Sequence, residues 1–308
     1  MSHLAGHLAI VTGASRGIGR AIARRLASEG IAVAAVSRTL HPGDGAFSGS
    51  LEETVAIIND EGGNAHAFVA DLGRPELDRA ALVAGIEDAF GERADILVNN
   101  AAATRRYETP FADMPREYFY DSIETNVWNT WDLMKAVVPG MRAKGAGWIV
   151  NLSSRLAGPR VGPPYAWHPL GGAVLYGTTK AAVDRITTGA AMELYDDHIA
   201  VNSLAPNRGV ATGHASKAVP GWPSEPEEAM AEAALLLCTE DPAKVTGRVS
   251  FSLGLLKEFG RAVRTLDGSS LVAGWQPADI DPASILPDHL VFNPAPPVPD
   301  ALLKGATR

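Results

Sequence analysis

The chain has 308 residues, enough for one large α/β domain or two small ones, and at 46% hydrophobic and 20% charged it can bury a sizeable core, which excludes a disordered polymer. Its net charge of −8, with no basic run, excludes nucleic acid as a main partner. The single cysteine, Cys238, permits no intrachain disulfide and fits the reducing cytoplasm. No apolar run approaches the ~18 residues of a membrane span, and no signal-peptide pattern opens the chain.

In chain order, His7 to Thr12 reads as a buried strand. Gly13-Ala14-Ser15-Arg16-Gly17-Ile18-Gly19 follows as a turn, and a helix through Arg20 to Leu26 stops near Gly30. Strand, glycine turn and helix are the context that a phosphate-binding turn requires. Glycines let the backbone approach a pyrophosphate, and the helix N-terminus faces its charge. Ile31 to Val36 is the second strand, with Ser37-Arg38-Thr39 at its end. An acid at this position would accept an adenosine ribose 2′-hydroxyl. None is present, whereas Arg38 and Arg16 suit a 2′-phosphate, so the pattern predicts NADP(H).

His41 to Gly49 reads as a loop, and Ser50-Leu51-Glu52-Glu53 as a capping box opening a helix that ends at Gly62-Gly63. Ala65 to Ala70 is the third strand, closed by Asp71-Leu72. Arg74 to Phe90 is helical, and Asp95 to Ala101 is the fourth strand, with Asn99-Asn100 at its C-terminal end. Alternating strands and helices predict a Rossmann-type, doubly wound parallel α/β sheet of about seven strands with helices on both faces. Its ligands lie at the carboxyl ends of the strands, where Gly13, Arg38, Asp71 and Asn99 all fall.

Pro115 to Pro139 reads as one long helix containing Asn126, with Trp128, Trp131 and Leu133 packing a helix face. Gly147 to Leu152 is the fifth strand and ends in Ser153-Ser154. Arg155 to Leu175 is an irregular loop rich in proline and aromatics, including Tyr165 and Trp167. His198 to Ala205 is the sixth strand and ends at Pro206. Residues 213–226 are Gly/Pro-rich and have the composition of a lid, with Ser224-Glu225-Pro226-Glu227 capping the helix that carries Cys238. Arg248 to Leu253 is the seventh strand, and after Gly260 the signal weakens.

Tyr176-Gly177-Thr178-Thr179-Lys180 places a phenol and an ammonium four residues apart, on one face of a helix. The ammonium favours the phenolate, so such a tyrosine can pass a proton at neutral pH. None of the other tyrosines has a lysine four residues on.

Together these motifs resemble the short-chain dehydrogenase/reductase family. The matching residues are Thr12 to Gly19, Asp71-Leu72, Asn99-Asn100-Ala101, Asn126, Ser154, Tyr176-x-x-x-Lys180 and Asn202 to Thr212, in the family's order over about residues 7 to 253. The resemblance implies a nicotinamide cofactor and a catalytic tetrad of Asn126, Ser154, Tyr176 and Lys180. Tyr176 would be the general acid in carbonyl reduction and the base in alcohol oxidation. Lys180 would lower its pKa and bind the nicotinamide ribose, Ser154 would orient the carbonyl oxygen, and Asn126 would hold a water.

Cofactor contacts implied are Gly13, Ser15, Arg16, Gly17, Ile18, Gly19, Ser37, Arg38, Asp71, Leu72, Asn99, Ala101, Tyr176, Lys180, Pro206, Val210 and Thr212. Substrate contacts are Ser154, Tyr165, Trp167 and Tyr176. A homodimer or homotetramer through the helices carrying Asn126 and Tyr176 is also implied. The sequence departs from the family in an insertion within 155–175, in Ala102 where Gly is usual, in the stretch Pro206 to Thr212, which lacks the usual Pro-Gly and is one residue longer, and in an extension over 261–308. The expected activity is an NADP(H)-dependent carbonyl reductase or alcohol dehydrogenase. The rival readings are an NAD-dependent secondary-alcohol dehydrogenase and a non-catalytic nucleotide sensor or scaffold.

Overall fold

The computed structural model describes residues 4–45, 47–103, 109–160, 162–165, 173–210, 212 and 224–285. The first strand, β1 (Leu8–Thr12), is buried along its whole length, because helices cover both faces of the sheet it belongs to. Alternate residues go to opposite layers: Ala9 and Val11 join one apolar cluster, Leu8 and Ile10 the other. The next strand, β2 (Ala32–Ser37), divides in the same way.

The first layer is built from α1 (Gly17–Ser28), α2 (Leu51–Asp60), α7 (Glu227–Thr239) and α8 (Ser252–Glu258). The opposite layer comes from α3 (Arg79–Phe90), α5 (Asn129–Lys144) and α6 (Val174–Glu193). The remaining strands are β3 (Ala65–Val69), β4 (Ile96–Asn99), β5 (Gly147–Leu152), β6 (Ile199–Ala205) and β9 (Val249–Phe251). All pair in parallel in the order β3-β2-β1-β4-β5-β6-β9. This is the seven-stranded Rossmann-type sheet that the alternating pattern predicts. The order reverses between β1 and β4, where a crevice opens at the carboxyl ends.

Local chemistry sets several boundaries. The Ser50 capping box is present: Ser50 Oγ accepts from Glu53 N at 3.1 Å, and a Glu53 oxygen accepts from Ser50 N at 2.8 Å. The helix expected from Arg74 instead starts at Arg79, because Asp78 caps it by accepting from Ala81 N. The long helix expected over 115–139 is α4 (Arg116–Ile123), a π-helical turn (Glu124–Trp128) and α5, which runs through Pro139 to Lys144. Leu133 is buried as expected, but Trp128 and Trp131 are 46% and 51% exposed, so these rings do not pack into the core.

Ser224-Glu225 does not cap a helix. The pair forms β8 (Ser224–Glu225), parallel to β7 (Gly209–Val210), and Pro226 is the N-cap of α7. The residue before a proline is driven to extended backbone, which favours a strand there. Ser252 and Leu253 begin α8 and do not continue the last strand. Beyond α8, residues 259–285 pack on the same core, with Val263, Leu266 and Ile280 buried in the first layer's cluster. No helix among the described residues is long and apolar enough to cross a membrane.

Candidate active site

The glycine turn joins β1 to α1 at the crevice. Gly13 has φ +66°, and a Cβ there would lie 2.7 Å from Asn100 Nδ2, so the turn is closed to larger residues. Asn100 Nδ2 donates to the carbonyls of Thr12 and Gly13, and Thr12 Oγ1 accepts from Asn100 N and Ala101 N. These bonds staple the ends of β1 and β4 together. Arg16, at the N-cap of α1, makes no side-chain capping bond, and the helix has no acid in its first turn. Its N-terminal N–H groups and positive dipole end therefore face the crevice with no carboxylate supplied by the helix's own first turn.

A cleft of about 2020 Å³ opens over this turn. Gly13, Ser15, Arg16, Gly17, Ile18, Gly19, Ser37, Arg38, Asp71, Leu72, Ala101 and Thr212 all line it, as do Thr39, Phe47 and Asn100. Arg16 Nη2 donates to Thr39 Oγ1 at 3.1 Å, and its guanidinium lies 5.7 Å from the Phe47 ring centroid. Ser37 Oγ donates to Ser15 Oγ at 3.1 Å, and Arg38 is exposed at the rim. Asp71 accepts from Gly73 N, which shapes the turn after β3. The glycine cradle, the uncapped helix end and the two arginines fit the phosphates of a dinucleotide.

Asn99, Pro206 and Val210 are not in the walls of this cleft. Val210 is buried in the apolar core. Asn99 is buried and donates to Asn151 Oδ1 at 2.9 Å across the β4–β5 register, while its own Oδ1 has no partner among the described residues.

The four tetrad candidates lie beyond Ala101–Ala103, at the end of the sheet. Asn126 is in the π-helical turn and is only 1% exposed. Its Oδ1 accepts from Ala103 N at 2.7 Å, and its Nδ2 donates to Thr179 Oγ1 at 3.0 Å. Thr179 Oγ1 in turn donates to the Tyr176 carbonyl at 2.8 Å, which ties Asn126 to the helix of Tyr176 and Lys180. The π turn shifts the helical phase by one residue, and here it directs an amide inward where a regular helix would direct it elsewhere.

Ser154 lies two residues beyond β5 and caps a short 3₁₀ turn, Arg155–Ala157, by accepting from Leu156 N at 3.2 Å. That turn sits directly on α6. A Cβ on Gly177 would lie 2.5 Å from the Leu156 carbonyl, so the glycine after Tyr176 lets Ser154's turn approach the tyrosine's helix. Lys180 is buried, donates to the Leu152 carbonyl at 2.6 Å, and its Nζ is 5.7 Å from the Tyr176 ring centroid. Burial pushes the Lys180 ammonium down to about 8, opposed by the Asp184 carboxylate one turn on. Asp184 Oδ1 accepts from Ser203 Oγ of β6 at 2.6 Å.

No part was expected of Asn151, Asp184 or the Thr179 side chain, Thr12 entered only as the first residue of the glycine motif, and Glu225 only as part of a helix cap. The available signal was a buried polar residue inside an apolar strand, as in Trp148-Ile149-Val150-Asn151-Leu152. Trp167 lies outside the described residues, as do residues 213–223 of the expected lid. Tyr165 is described and 69% exposed.

The model of the family described as short chain dehydrogenase matches residues 7–220. The chain belongs to the short-chain dehydrogenase family. It is 32% identical over 257 residues to the Bos taurus dehydrogenase/reductase SDR family member 4, covering 78% of this chain and 83% of that one. A 3-oxoacyl (acyl-carrier-protein) reductase from Agrobacterium tumefaciens, solved with NADP bound, superposes with a TM-score of 0.68 at 27% identity, covering 80% of this chain and 93% of its own. A short chain dehydrogenase from Mycobacterium thermoresistibile superposes at 0.73 with 28% identity, covering 92% and 100%. As a family member with these neighbours, the chain is an oxidoreductase.

Proposed function

We propose that this oxidoreductase interconverts a ketone and a secondary alcohol with NADP(H). The observation that carries the reading is the placement of Tyr176 and Lys180 on one face of α6, with Lys180 anchored to the end of β5 and Asn126 anchored to α6. Bound in the cleft, NADPH would supply the hydride for the carbonyl carbon. The chain supplies the proton and the geometry. Ser154 Oγ donates to the carbonyl oxygen, and the Tyr176 hydroxyl gives that oxygen its proton. The Lys180 ammonium favours the phenolate that results, and a water held by Asn126 would resupply its proton. Oxidation runs the same proton transfers backwards. The half-exposed Trp128 and Trp131 support a homodimer or homotetramer through the helices of Asn126 and Tyr176.

The first test is oxidation of NADPH and NADH against a panel of ketones that includes bulky apolar ones. Turnover of a subset with NADPH supports the reading; silence with every ketone, despite tight binding of NADPH, favours a sensor. Arg38→Asp should weaken NADPH more than NADH, by about tenfold for a lost charge-assisted contact. An unchanged preference would assign the 2′-phosphate to Arg16 alone.

The pH profile follows from Lys180. Its charged form is lost as pH rises through about 8. Asp184→Asn removes the charge that opposes this loss, so the alkaline limb of kcat/KM should move to lower pH. A limb that stays in place would mean that another group controls it.

A further inference from the structure

The segment after β6 is held from two sides. It leaves the sheet beside the catalytic serine strand, since Ser153 N donates to the Leu204 carbonyl at 2.8 Å. It ends at Thr212, whose Cγ2 lies 3.4 Å from where a Cβ on Gly17 would sit. The segment therefore spans the distance from the tetrad to the phosphate turn. Its inner side is tied by Glu225, a carboxylate only 1% exposed that accepts from Arg208 N at 3.1 Å and from Ser252 Oγ at 2.6 Å. Ser252 Oγ also accepts from Asn207 N at 3.1 Å. Burial pushes the Glu225 carboxyl up to about 7, while Ser252 and the Arg208 and Asn207 backbone groups oppose the shift.

The outer side is held by the C-terminal arm. Asn207, 2% exposed, donates from Nδ2 to the Ser284 carbonyl at 2.7 Å, and the Arg208 guanidinium lies 6.0 Å from the Trp275 ring centroid. The arm is itself anchored. Lys257 Nζ donates to the Pro277 and Ile280 carbonyls at 3.1 and 2.7 Å, Gln276 Nε2 donates to the Val263 and Val272 carbonyls, and Ile280 is buried.

We propose that the C-terminal arm, residues 259–285, is a positioning element of the active site: through Asn207 and Arg208 it fixes the segment against which the nicotinamide half of the dinucleotide rests. This inference depends on the NADP(H) reading above. Among the described residues, the arm's bonds go to the segment after β6 and to α7 and α8, away from the glycine turn, so its expected effect falls on one half of the ligand and not the other. Asn207 and Trp275 position; they do not react.

The test separates the two halves by calorimetry. NADPH carries both, whereas adenosine 2′,5′-bisphosphate carries only the adenine end. Asn207→Ala and Trp275→Leu are compared with the unmodified protein; the leucine keeps apolar packing while removing the ring under Arg208. Each variant is expected to bind NADPH about tenfold more weakly, a loss of ~1.4 kcal/mol, and to bind the bisphosphate within about twofold of the unmodified protein. Retained bisphosphate binding also reports an intact fold. Equal losses for both ligands, or no loss for either, would overturn the proposal. Binding of the bisphosphate by the unmodified protein without tighter binding of NADPH would instead sink the dinucleotide reading itself.

Discussion

Tyr176→Phe is expected to lower ketone reduction by about 10²–10⁴-fold while leaving NADPH binding unchanged. The hydroxyl is the only part of the side chain removed, and the ring keeps its place near the Lys180 ammonium. The other three candidates are held independently of the hydroxyl. Asn126 is fixed by Ala103 N and Thr179, Lys180 by the Leu152 carbonyl, and Ser154 by its own turn. The variant should therefore fold, bind and position substrate without delivering the proton. Single-turnover rates with saturating NADPH measure the chemical step directly, and calorimetry measures the binding. A variant that turns over normally would remove Tyr176 from the mechanism. One that loses NADPH affinity in parallel would make it a binding residue.

The sheet and the glycine turn were legible because their signals are local. Continuous apolar runs mark strands covered on both faces, and the turn's spacing follows a strand and opens a helix. The Ser50 capping box is equally local and forms as its four residues predict. The Tyr176–Lys180 face needed only helical periodicity. What escaped was non-local. Nothing near Asn126 announces a π turn, because the bonds that exploit it go to Ala103 and Thr179, far off in sequence. Glu225 read as helix-cap chemistry, yet Pro226 makes it extended, and its partners are Arg208 and Ser252. The arm after Gly260 has no period to read. Its buried residues, Val263, Leu266 and Ile280, are spaced irregularly because loops and side-chain bonds to carbonyls hold them, as at Lys257 and Gln276.

The stability of that arm should depend on one carboxylate. Glu232, on α7 and 1% exposed, accepts from Arg25 Nε at 2.6 Å and from Arg261 Nε at 2.7 Å. Arg25 is itself 1% exposed. Burial alone would push its guanidinium down, but Glu232 and Glu29 outweigh that, and its pKa is raised. A buried ion pair of this kind adds little net stability over well-packed apolar residues, but removing Glu232 leaves the buried Arg25 Nε and Nη2 without their carboxylate, with Glu29 holding only Nη1. Glu232→Ala should therefore cost about 3–5 kcal/mol, well above the ordinary range for a point substitution. It also releases Arg261, where the arm leaves the core. Urea unfolding of the full chain measures the loss. The double variant Glu232→Leu with Arg25→Met replaces both charges by apolar groups, and it should recover most of it. If the single variant is as stable as the unmodified protein, the pair is not desolvated and solvent reaches α1 and α7 at their contact. If the double variant is no better than the single one, the cost lies in packing around Arg261 and not in a stranded charge.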